Sequence, residues 1–440
     1  MKEYSFAYGS GSVTIPLDAR WVKEELIGND IPALPDLRAA IRKSVEEPIG
    51  CPPLRECVHG DQTAVLVVSD MSRFWMRQDL VIPHLVEYLL ADCGLSPENV
   101  TILVANGTHP GGSEAELRKL VTDAVFEQVR VVNHDCRGED LITLGTTSFG
   151  TEVAVNGLAV RADLCICLGA ATYHVMAGFG GGRKSILPGI SGERTIRQNH
   201  ALSLDPERLR TNPLVGNGRT KDNPLNLDML EAAGMMKNLF MVNLVVNAWE
   251  KHCAIFSGHY LSSWERACRE VERVYQVPVR ERADVIVAGC GGYPRDMSLY
   301  QGTKAIDNVE SGLKPGGTLI LVIEAREGGG PAEYFGWSRD LIDGTIEKRL
   351  REAFTVAGYI FFLNCEQAKR YRVILLSGID PADTAPMGIE CYPDVETLLQ
   401  HVELEGKSIT VIPNAGTVVP VVTGRIVINH ILCNQFSNNG

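Results

Sequence analysis

Two short apolar segments decide the fold: Ala64–Ser69 (AVLVVS) and Thr101–Ala105 (TILVA), with a helical stretch from about Pro83 to Ala91 between them. Strand-length apolar runs that alternate with helices predict a parallel α/β sheet. Polar residues follow both runs: Asp70 comes directly after the first, and His109 closes the loop after the second. Because ligands bind at the carboxyl ends of parallel strands, we expect both loops to lie on one rim of the sheet.

The length of 440 residues exceeds what one hydrophobic core usually serves. The alternation of strands and helices continues along the chain, and Pro278 stops an amphipathic helix near the middle. We therefore predict two α/β domains with mainly parallel sheets and an active-site cleft between them. The boundaries are an N-terminal domain at 1–272 that carries the site, a C-terminal α/β domain at 273–406 that closes over it, and a segment at 407–440 that packs back on the N-terminal domain.

The composition excludes some partners. A net charge of -12 argues against nucleic acid or an anionic membrane, since both need a basic face. The N-terminus lacks an apolar signal segment, and no run of about 18 apolar residues occurs, so we expect a cytoplasmic protein. The twelve cysteines form no Cys-x-x-Cys pair, which favours reduced thiols.

A glycine-rich stretch, Gly178–Ser185 (GFGGGRKS), follows a third predicted strand, Asp163–Leu168. Its glycines allow a close approach of backbone to a ligand, and its last three residues suit a phosphate. A P-loop would need glycine at position 183, where this chain has arginine, so a nucleoside triphosphatase is disfavoured. A flexible surface loop is the alternative interpretation. The candidate phosphate-binding residues are Gly180, Gly181, Gly182, Arg183, Lys184 and Ser185.

His109 and His174 both follow predicted strands and form a candidate acid/base pair, because imidazole titrates near neutral pH. Two bases on opposite faces of a substrate are what a racemase or epimerase needs. Arg73 could hold a carboxylate with paired donors, and Gln301 and Lys304, three residues apart on a helix, could close over it. The alternatives are structural histidines and a surface Asp–Arg pair.

Together these stretches resemble the nickel-dependent lactate racemase family in order and spacing. The matching motifs cover the N-terminal two-thirds of the chain best, and the glycine–lysine stretch is the most specific of them. They are Asp70–Arg73, Gly107–His109, Tyr173–His174, Gly180–Gly189, His200, Asn223–Pro224, Gly291–Pro294, and Tyr300–Gln301 with Lys304.

The resemblance implies a nickel pincer nucleotide, a pyridinium-3,5-bisthiocarboxylic acid mononucleotide tethered covalently to Lys184. It implies His200 as the protein ligand of Ni(II), which suits the tetragonal preference of that ion. Asp70 would then place the cofactor or Arg73, and the glycines with Arg183 and Ser185 would hold the nucleotide phosphate. Separate cofactor-maturation enzymes are implied as partners.

The implied reaction is racemisation or epimerisation of a small-molecule 2-hydroxy acid. One of His109 and His174 takes the hydroxyl proton while hydride leaves the α-carbon for the cofactor, and return to the other face of the 2-keto acid inverts the centre. Arg73, Gln301 and Lys304 would fix the carboxylate. The run Gly358–Phe362 (GYIFF) departs from the family pattern and predicts an aromatic pocket for a larger or less polar substrate than lactate. A nickel-independent dehydrogenase and a non-catalytic cofactor carrier remain the alternatives.

Overall fold

The structure, a computed structural model, describes residues 1–424. The last part of the predicted C-terminal segment, 425–440, lies outside the described residues. Strands and helices alternate along most of the chain, as the two-domain α/β prediction requires.

The strands, in chain order, are β1 (Lys2–Tyr8), β2 (Gly11–Leu17), β3 (Val22–Glu25), β4 (Ala64–Ser69), β5 (Val100–Ala105), β6 (Arg130–Asn133), β7 (Leu141–Thr146), β8 (Glu152–Asn156), β9 (Leu164–Ala170), β10 (Tyr173–His174), β11 (Gly178–Phe179), β12 (Leu239–Val246), β13 (His252–Gly258), β14 (Gln276–Val279), β15 (Ala283–Gly289), β16 (Leu313–Val322), β17 (Arg372–Leu376), β18 (Glu390–Tyr392), β19 (Ile409–Ile412) and β20 (Val419–Val422).

The α-helices, in chain order, are α1 (Leu37–Glu46), α2 (Leu54–Cys57), α3 (Ile82–Ala91), α4 (Glu114–Val121), α5 (Asp123–Gln128), α6 (Gly157–Arg161), α7 (Glu193–Ala201), α8 (Pro224–Gly234), α9 (Ser262–Tyr275), α10 (Leu299–Val309), α11 (Ser338–Ile342), α12 (Ile346–Glu352), α13 (Val356–Arg370), α14 (Pro381–Thr384) and α15 (Val395–His401).

The first sheet has the strand order β13-β12-β9-β4-β5-β6 among the described residues. Its strands run parallel except β13, which pairs antiparallel with β12. The two segments that decide the fold pair as β4 and β5, with Ala64 opposite Val100, and α3 lies between them in the chain. All residues of β9 are buried, because helices cover both faces of the sheet and each face must be apolar. The α/β prediction is confirmed for this domain.

The second sheet has the order β18-β17-β16-β15-β19-β3, and all of its neighbouring strands are parallel. The hairpin β1–β2 packs on one face of this sheet through the buried Tyr4, Phe6 and Ile15. The other face joins the large core that runs to the first domain.

The structure divides the chain differently from the predicted boundaries. Residues 22–25, expected in the first domain, form β3 at the edge of the second sheet beside β19. β3 gives β19 a backbone partner on the side that faces away from β15. The boundary after 272 falls inside α9, whose Val274 and Tyr275 remain buried in the same apolar cluster as Trp264. We therefore propose that the first domain ends with this helix.

The C-terminal segment also differs from its prediction. β19 lies inside the second sheet between β15 and β3, and β20 pairs with β14, directly after the first domain. The described part of 407–440 thus completes the second domain and its junction. In residues 1–424 none of the helices is both long and apolar enough to cross a membrane.

Candidate active site

The carboxyl ends of β4, β5 and β9 carry the loops in which the sequence placed its candidate residues. After β4, Asp70 caps a short 3-10 helix by accepting a hydrogen bond from the backbone N–H of Ser72. After β5 comes the loop with His109, and after β9 the chain enters the small hairpin β10–β11 that holds His174. The predicted shared rim is therefore present.

The glycine loop packs tightly against β9 and α9. Gly181 and Gly182 have φ of +69° and +53°, in the left-handed region that favours glycine. A Cβ on Gly182 would lie 2.8 Å from Cδ1 of Trp264, and one on Gly181 would lie 3.0 Å from the backbone nitrogen of Ala171. The Cα positions of these glycines thus face protein, whereas the prediction assigned them to close ligand approach.

The backbone of this loop still offers donors. Gly180 N–H donates to the carbonyl of Thr172 at 2.7 Å. In the part of the chain that the structure describes, no protein acceptor takes a hydrogen bond from the N–H groups of Gly181 and Gly182. Consecutive N–H groups without protein acceptors, on two residues with positive φ, form the kind of concavity that binds anions.

Arg183 is fully buried and binds protein, so its predicted role as a phosphate ligand is wrong. Its guanidinium donates to Oδ1 of Asn226 at 2.6 and 3.0 Å, and to the carbonyls of Phe179 and Ala177 at 2.9 and 2.8 Å. It also stacks on the ring of Trp264, 3.9 Å from the centroid. Burial lowers its pKa to about 9. Arg183 therefore fixes the loop conformation from beneath.

We expect Arg183→Leu to lower the free energy of unfolding by about 3 kcal/mol or more, because buried carbonyls lose their donor. Urea denaturation measures this change. The control is Arg194→Leu, since Arg194 is 73% exposed and its ion pair with Glu152 spans 3.5 Å; such a surface pair contributes less than about 1 kcal/mol. Equal effects of both substitutions would contradict the assignment of Arg183.

Lys184 lies against His174, with 2.6 Å between Nζ and Nε2. On the other side of the ring, Nδ1 accepts hydrogen bonds from the backbone N–H groups of Met176 and Ala177, both at 3.1 Å. A neutral imidazole whose Nδ1 accepts carries its proton on Nε2. Nε2–H therefore donates to Lys184, and the amine that accepts it is in the free-base form.

The electrostatics of the loop agree with a free amine. Burial lowers the pKa of Lys184 well below its usual range, and the positive charges of Arg73, Arg183 and Lys304 lower it further. The same burial and the same cations lower the pKa of His174 well below its usual range. Three cationic side chains therefore lie near Lys184 and His174: Arg73, Arg183 and Lys304.

The cations beside Lys184 form no ion pair with a carboxylate, although the charge of Asp70 acts on Arg73. Lys304 donates to Oε1 of Gln301 at 2.9 Å, and Arg73 donates to the Ser72 hydroxyl at 3.2 Å. Across residues 1–424, neither of these two cations forms an ion pair with Asp or Glu. Such a site fits an anionic ligand.

His200 lies in the last turn of α7 and is buried. Its Nδ1 donates to the carbonyl of Ile196 at 2.9 Å, which leaves the lone pair of Nε2 free. Burial lowers its pKa to about 4, so the ring is neutral near pH 7. A neutral imidazole oriented by a backbone carbonyl has the form of a metal ligand.

His109 and Asp70 form a dyad on the rim, with 2.6 Å between Nδ1 and Oδ2. Burial alone would raise the pKa of Asp70, but hydrogen bonds from His109 and Ser72 outweigh it and lower that pKa. The prediction gave Asp70 to the cofactor or to Arg73, whereas its side-chain partners are His109 and Ser72. The carboxylate holds Nδ1–H and directs Nε2 outward as a base.

The second domain contributes α10, which Ser298 caps by accepting from the N–H of Gln301. Lys304 is one turn further along. Burial, with the charges of Arg73 and Arg295 nearby, lowers its pKa to about 8. Arg73 of the first domain thus lies near enough to Lys304 of the second domain for their charges to interact.

The aromatic run Gly358–Phe362 lies elsewhere than predicted. It forms the start of α13, and Tyr359 and Phe361 are buried in the domain core. The aromatic ring next to the site is Phe354, whose centroid lies 6.1 Å from that of His200 and 6.0 Å from that of Tyr359. Phe354 lies between two helices in a segment without a recognisable motif, which explains why sequence reasoning missed it.

Both domains match known protein families in sequence. Residues 8–212 match the family model of the lactate racemase N-terminal domain, and residues 279–420 match that of the lactate racemase C-terminal domain. The chain is 31% identical over 304 residues to a lactate racemase of Thermoanaerobacterium thermosaccharolyticum, which is 69% of this chain and 69% of that protein. It is also 31% identical over 305 residues to a lactate racemase of Lactiplantibacillus plantarum, 69% of this chain and 70% of that protein.

Solved structures give the same result. The lactate racemase apoprotein of T. thermosaccharolyticum superposes with a TM-score of 0.85 and 26% identity, over 96% of this chain and 100% of that chain. A protein from Thermotoga maritima shares the fold, with a TM-score of 0.63 and 18% identity over 90% of this chain and 100% of that chain.

Proposed function

Because this chain belongs to the lactate racemase family and is an isomerase of the racemase class, we propose that it inverts the chiral carbon of a 2-hydroxy acid with the help of a nickel pincer nucleotide joined to Lys184. The observation that carries the proposal is the free amine of Lys184 in contact with His174, in a pocket of unbalanced cations beside a neutral His200.

The pocket fits this cofactor in three respects. The N–H groups of Gly181 and Gly182, with the hydroxyl of Ser185 nearby, suit a phosphate. Nε2 of His200 suits nickel, and a free amine at position 184 can form an amide-type bond. When bound, the group would accept the hydride of the substrate and return it. We propose that maturation enzymes supply it.

The substrate carboxylate would bind between the domains. Arg73 offers paired donors from the first domain, and Lys304 with Gln301 offers a second cation and an amide from α10. Two cations from opposite sides leave the α-carbon little freedom to turn. The substrate therefore presents its hydroxyl group and α-hydrogen in a fixed orientation.

The two histidines would exchange the hydroxyl proton, one for each enantiomer. His109 does so through Nε2, with Asp70 holding the other ring nitrogen. His174 is engaged with Lys184 in the unloaded chain. Once Lys184 carries an acyl-type group, its nitrogen no longer accepts a hydrogen bond, so attachment would release the ring of His174 to turn and present its unprotonated Nδ1 to the substrate hydroxyl.

We propose that the substituent on the α-carbon contacts Phe354, which supplies an apolar wall beside His200. Phe354, and not Gly358–Phe362, would then be the apolar contact that favours a larger or less polar substrate than lactate. The wall contributes one ring from a loop, so replacing it should alter substrate preference more than stability.

We expect Asp70→Asn to lower kcat by about 10²-fold, because His109 loses the partner that fixes its tautomer. Nickel content should stay unchanged, since Asp70 contacts His109 and Ser72. Steady-state kinetics with metal analysis measures both. Asp18→Asn, at an exposed ion pair with Arg20 in the turn between β2 and β3, is the matched control. Loss of nickel in Asp70→Asn would instead favour a cofactor-binding role.

The proposal is tested with protein produced together with the cofactor pathway. Intact mass should show an adduct at Lys184 with nickel, and a screen of α-deuterated 2-hydroxy acids should show interconversion of enantiomers. An adduct without interconversion of any acid would favour a cofactor carrier. Activity without an adduct or nickel would favour a dehydrogenase.

A further inference from the structure

We infer that, before any nucleotide is attached, Lys184 forms a reversible imine with 2-keto acids, so that the unloaded chain is a covalent binder of the keto form of its substrate. The inference rests on the proposed function only for the residues that hold the carboxylate.

Hydrogen bonds determine the protonation state of the nucleophile, the amine of Lys184. Nδ1 of His174 accepts from two backbone N–H groups, so the ring proton is on Nε2, 2.6 Å from Nζ of Lys184. A protonated amine at that distance would oppose one N–H donor to another. The amine therefore presents its lone pair, which is the form that attacks a carbonyl.

The residues around Lys184 keep its amine unprotonated and leave it accessible to a ligand. Both Lys184 and His174 are half-buried, so neither is sealed in the core. Arg73, Arg183 and Lys304 lie close enough to disfavour a further positive charge on Lys184. A lysine next to other cations is one of the recognised arrangements for Schiff-base chemistry.

The same cations select the carbonyl compound. Arg73 and Lys304 form no ion pair with a carboxylate within residues 1–424, and both lie near enough to Lys184 to lower its pKa. A 2-keto acid places its carboxylate directly next to its ketone. Binding of the carboxylate therefore brings the carbonyl carbon towards the amine, whereas a simple ketone gains no such help.

The reaction balances without a further reagent. Nζ attacks the ketone carbon, a C–N bond forms, and the carbonyl electron pair moves to oxygen. The alkoxide oxygen then takes a proton from the new ammonium nitrogen through water, while Nε2–H of His174 donates a hydrogen bond to that oxygen and the ring stays neutral. A second proton passes from nitrogen to oxygen in the same way, so that oxygen leaves as water while the C=N bond forms. The sum is amine plus ketone giving imine plus water, and His174 is unchanged.

One consequence separates the unloaded from the loaded protein. An amide-type nitrogen cannot form an imine, so the nucleotide and the 2-keto acid compete for the same atom. Keto acid present during maturation should slow attachment at Lys184. After attachment, the keto acid should form no adduct at this position.

The test uses the full chain produced without the cofactor pathway, pyruvate as the probe, and sodium cyanoborohydride to trap the imine. We expect one reduced pyruvyl group per chain by intact mass, mapped to Lys184 by peptide analysis. Labelling of Lys184 should exceed that of the exposed Lys237 by at least about tenfold, because the contact with His174 holds the Lys184 amine in its nucleophilic free-base form.

Variants make the test specific. Lys184→Arg should abolish the adduct, Lys237→Arg should leave it unchanged, and His174→Leu, which removes the Nε2–H donor, should slow adduct formation by about tenfold or more. Acetone in place of pyruvate should label Lys184 far less. If a variant fails to fold, peptide mapping of the unchanged chain still shows whether the label is on Lys184.

Label spread evenly over surface lysines, or equal labelling by acetone and pyruvate, would overturn the inference. The outcome is independent of the proposed function. Loaded protein that interconverts enantiomers while the unloaded chain forms no imine would remove only this inference. Imine formation with no racemisation after loading would remove only the proposed function.

Discussion

Lys184→Arg is expected to eliminate both the covalent adduct and racemase activity, lowering kcat/KM by at least about 10⁴-fold. A guanidinium keeps the positive charge but has no free-base nitrogen near neutral pH, so it cannot form the amide-type bond. Intact mass, nickel content and enantiomer conversion are measured on protein produced with the cofactor pathway. All three should be at background.

The control for this variant is Lys237→Arg, an exposed lysine before β12. It should load and racemise like the unchanged chain. Circular dichroism checks that Lys184→Arg is folded, as expected for a half-buried side chain on the surface of the cleft. A folded Lys184→Arg protein that keeps nickel and full activity would refute a covalent role for Lys184.

His109→Gln and His174→Gln are each expected to lower kcat by about 10³-fold in both directions of the reaction. Each enantiomer needs a base on its own side, and a complete inversion uses both. Glutamine retains a polar group of similar reach but does not titrate. Kinetics started from each enantiomer, with nickel content as a second readout, measure the effect.

His84→Gln, at a partly exposed position of α3, is the matched histidine control and should leave kcat unchanged. His109→Gln should keep nickel, because His109 bonds to Asp70 and not to the glycine loop. A variant of either candidate histidine that keeps more than about a tenth of kcat would sink the two-base assignment.

Strand-length apolar runs made the fold predictable. β4, β5 and β9 are buried on both faces, and that requirement shows directly in sequence as continuous apolar segments. Site loops followed from the same logic, since polar residues at strand ends collect on one rim. His109 and His174 were found in this way, from local sequence alone.

What the sequence could not show depends on contacts between distant segments. Arg183 looks like a phosphate ligand beside glycines, yet Asn226, 43 residues away, accepts two of its hydrogen bonds. β3 is a short, weakly apolar strand, and only its pairing with β19 gives it a place in the second sheet. Phe354 has no motif, and its closeness to His200 arises from the docking of two domains.

Retention of the α-hydrogen most directly tests the central claim that this chain inverts a 2-hydroxy acid by hydride transfer. Loaded protein is incubated with one enantiomer of 2-deuterated lactate in ordinary water, and both enantiomers are analysed by chiral chromatography and mass spectrometry. The account predicts a racemic product that keeps its deuterium, because the same hydride leaves and returns. Racemic product with deuterium replaced by solvent hydrogen would mean proton abstraction at carbon and would contradict it.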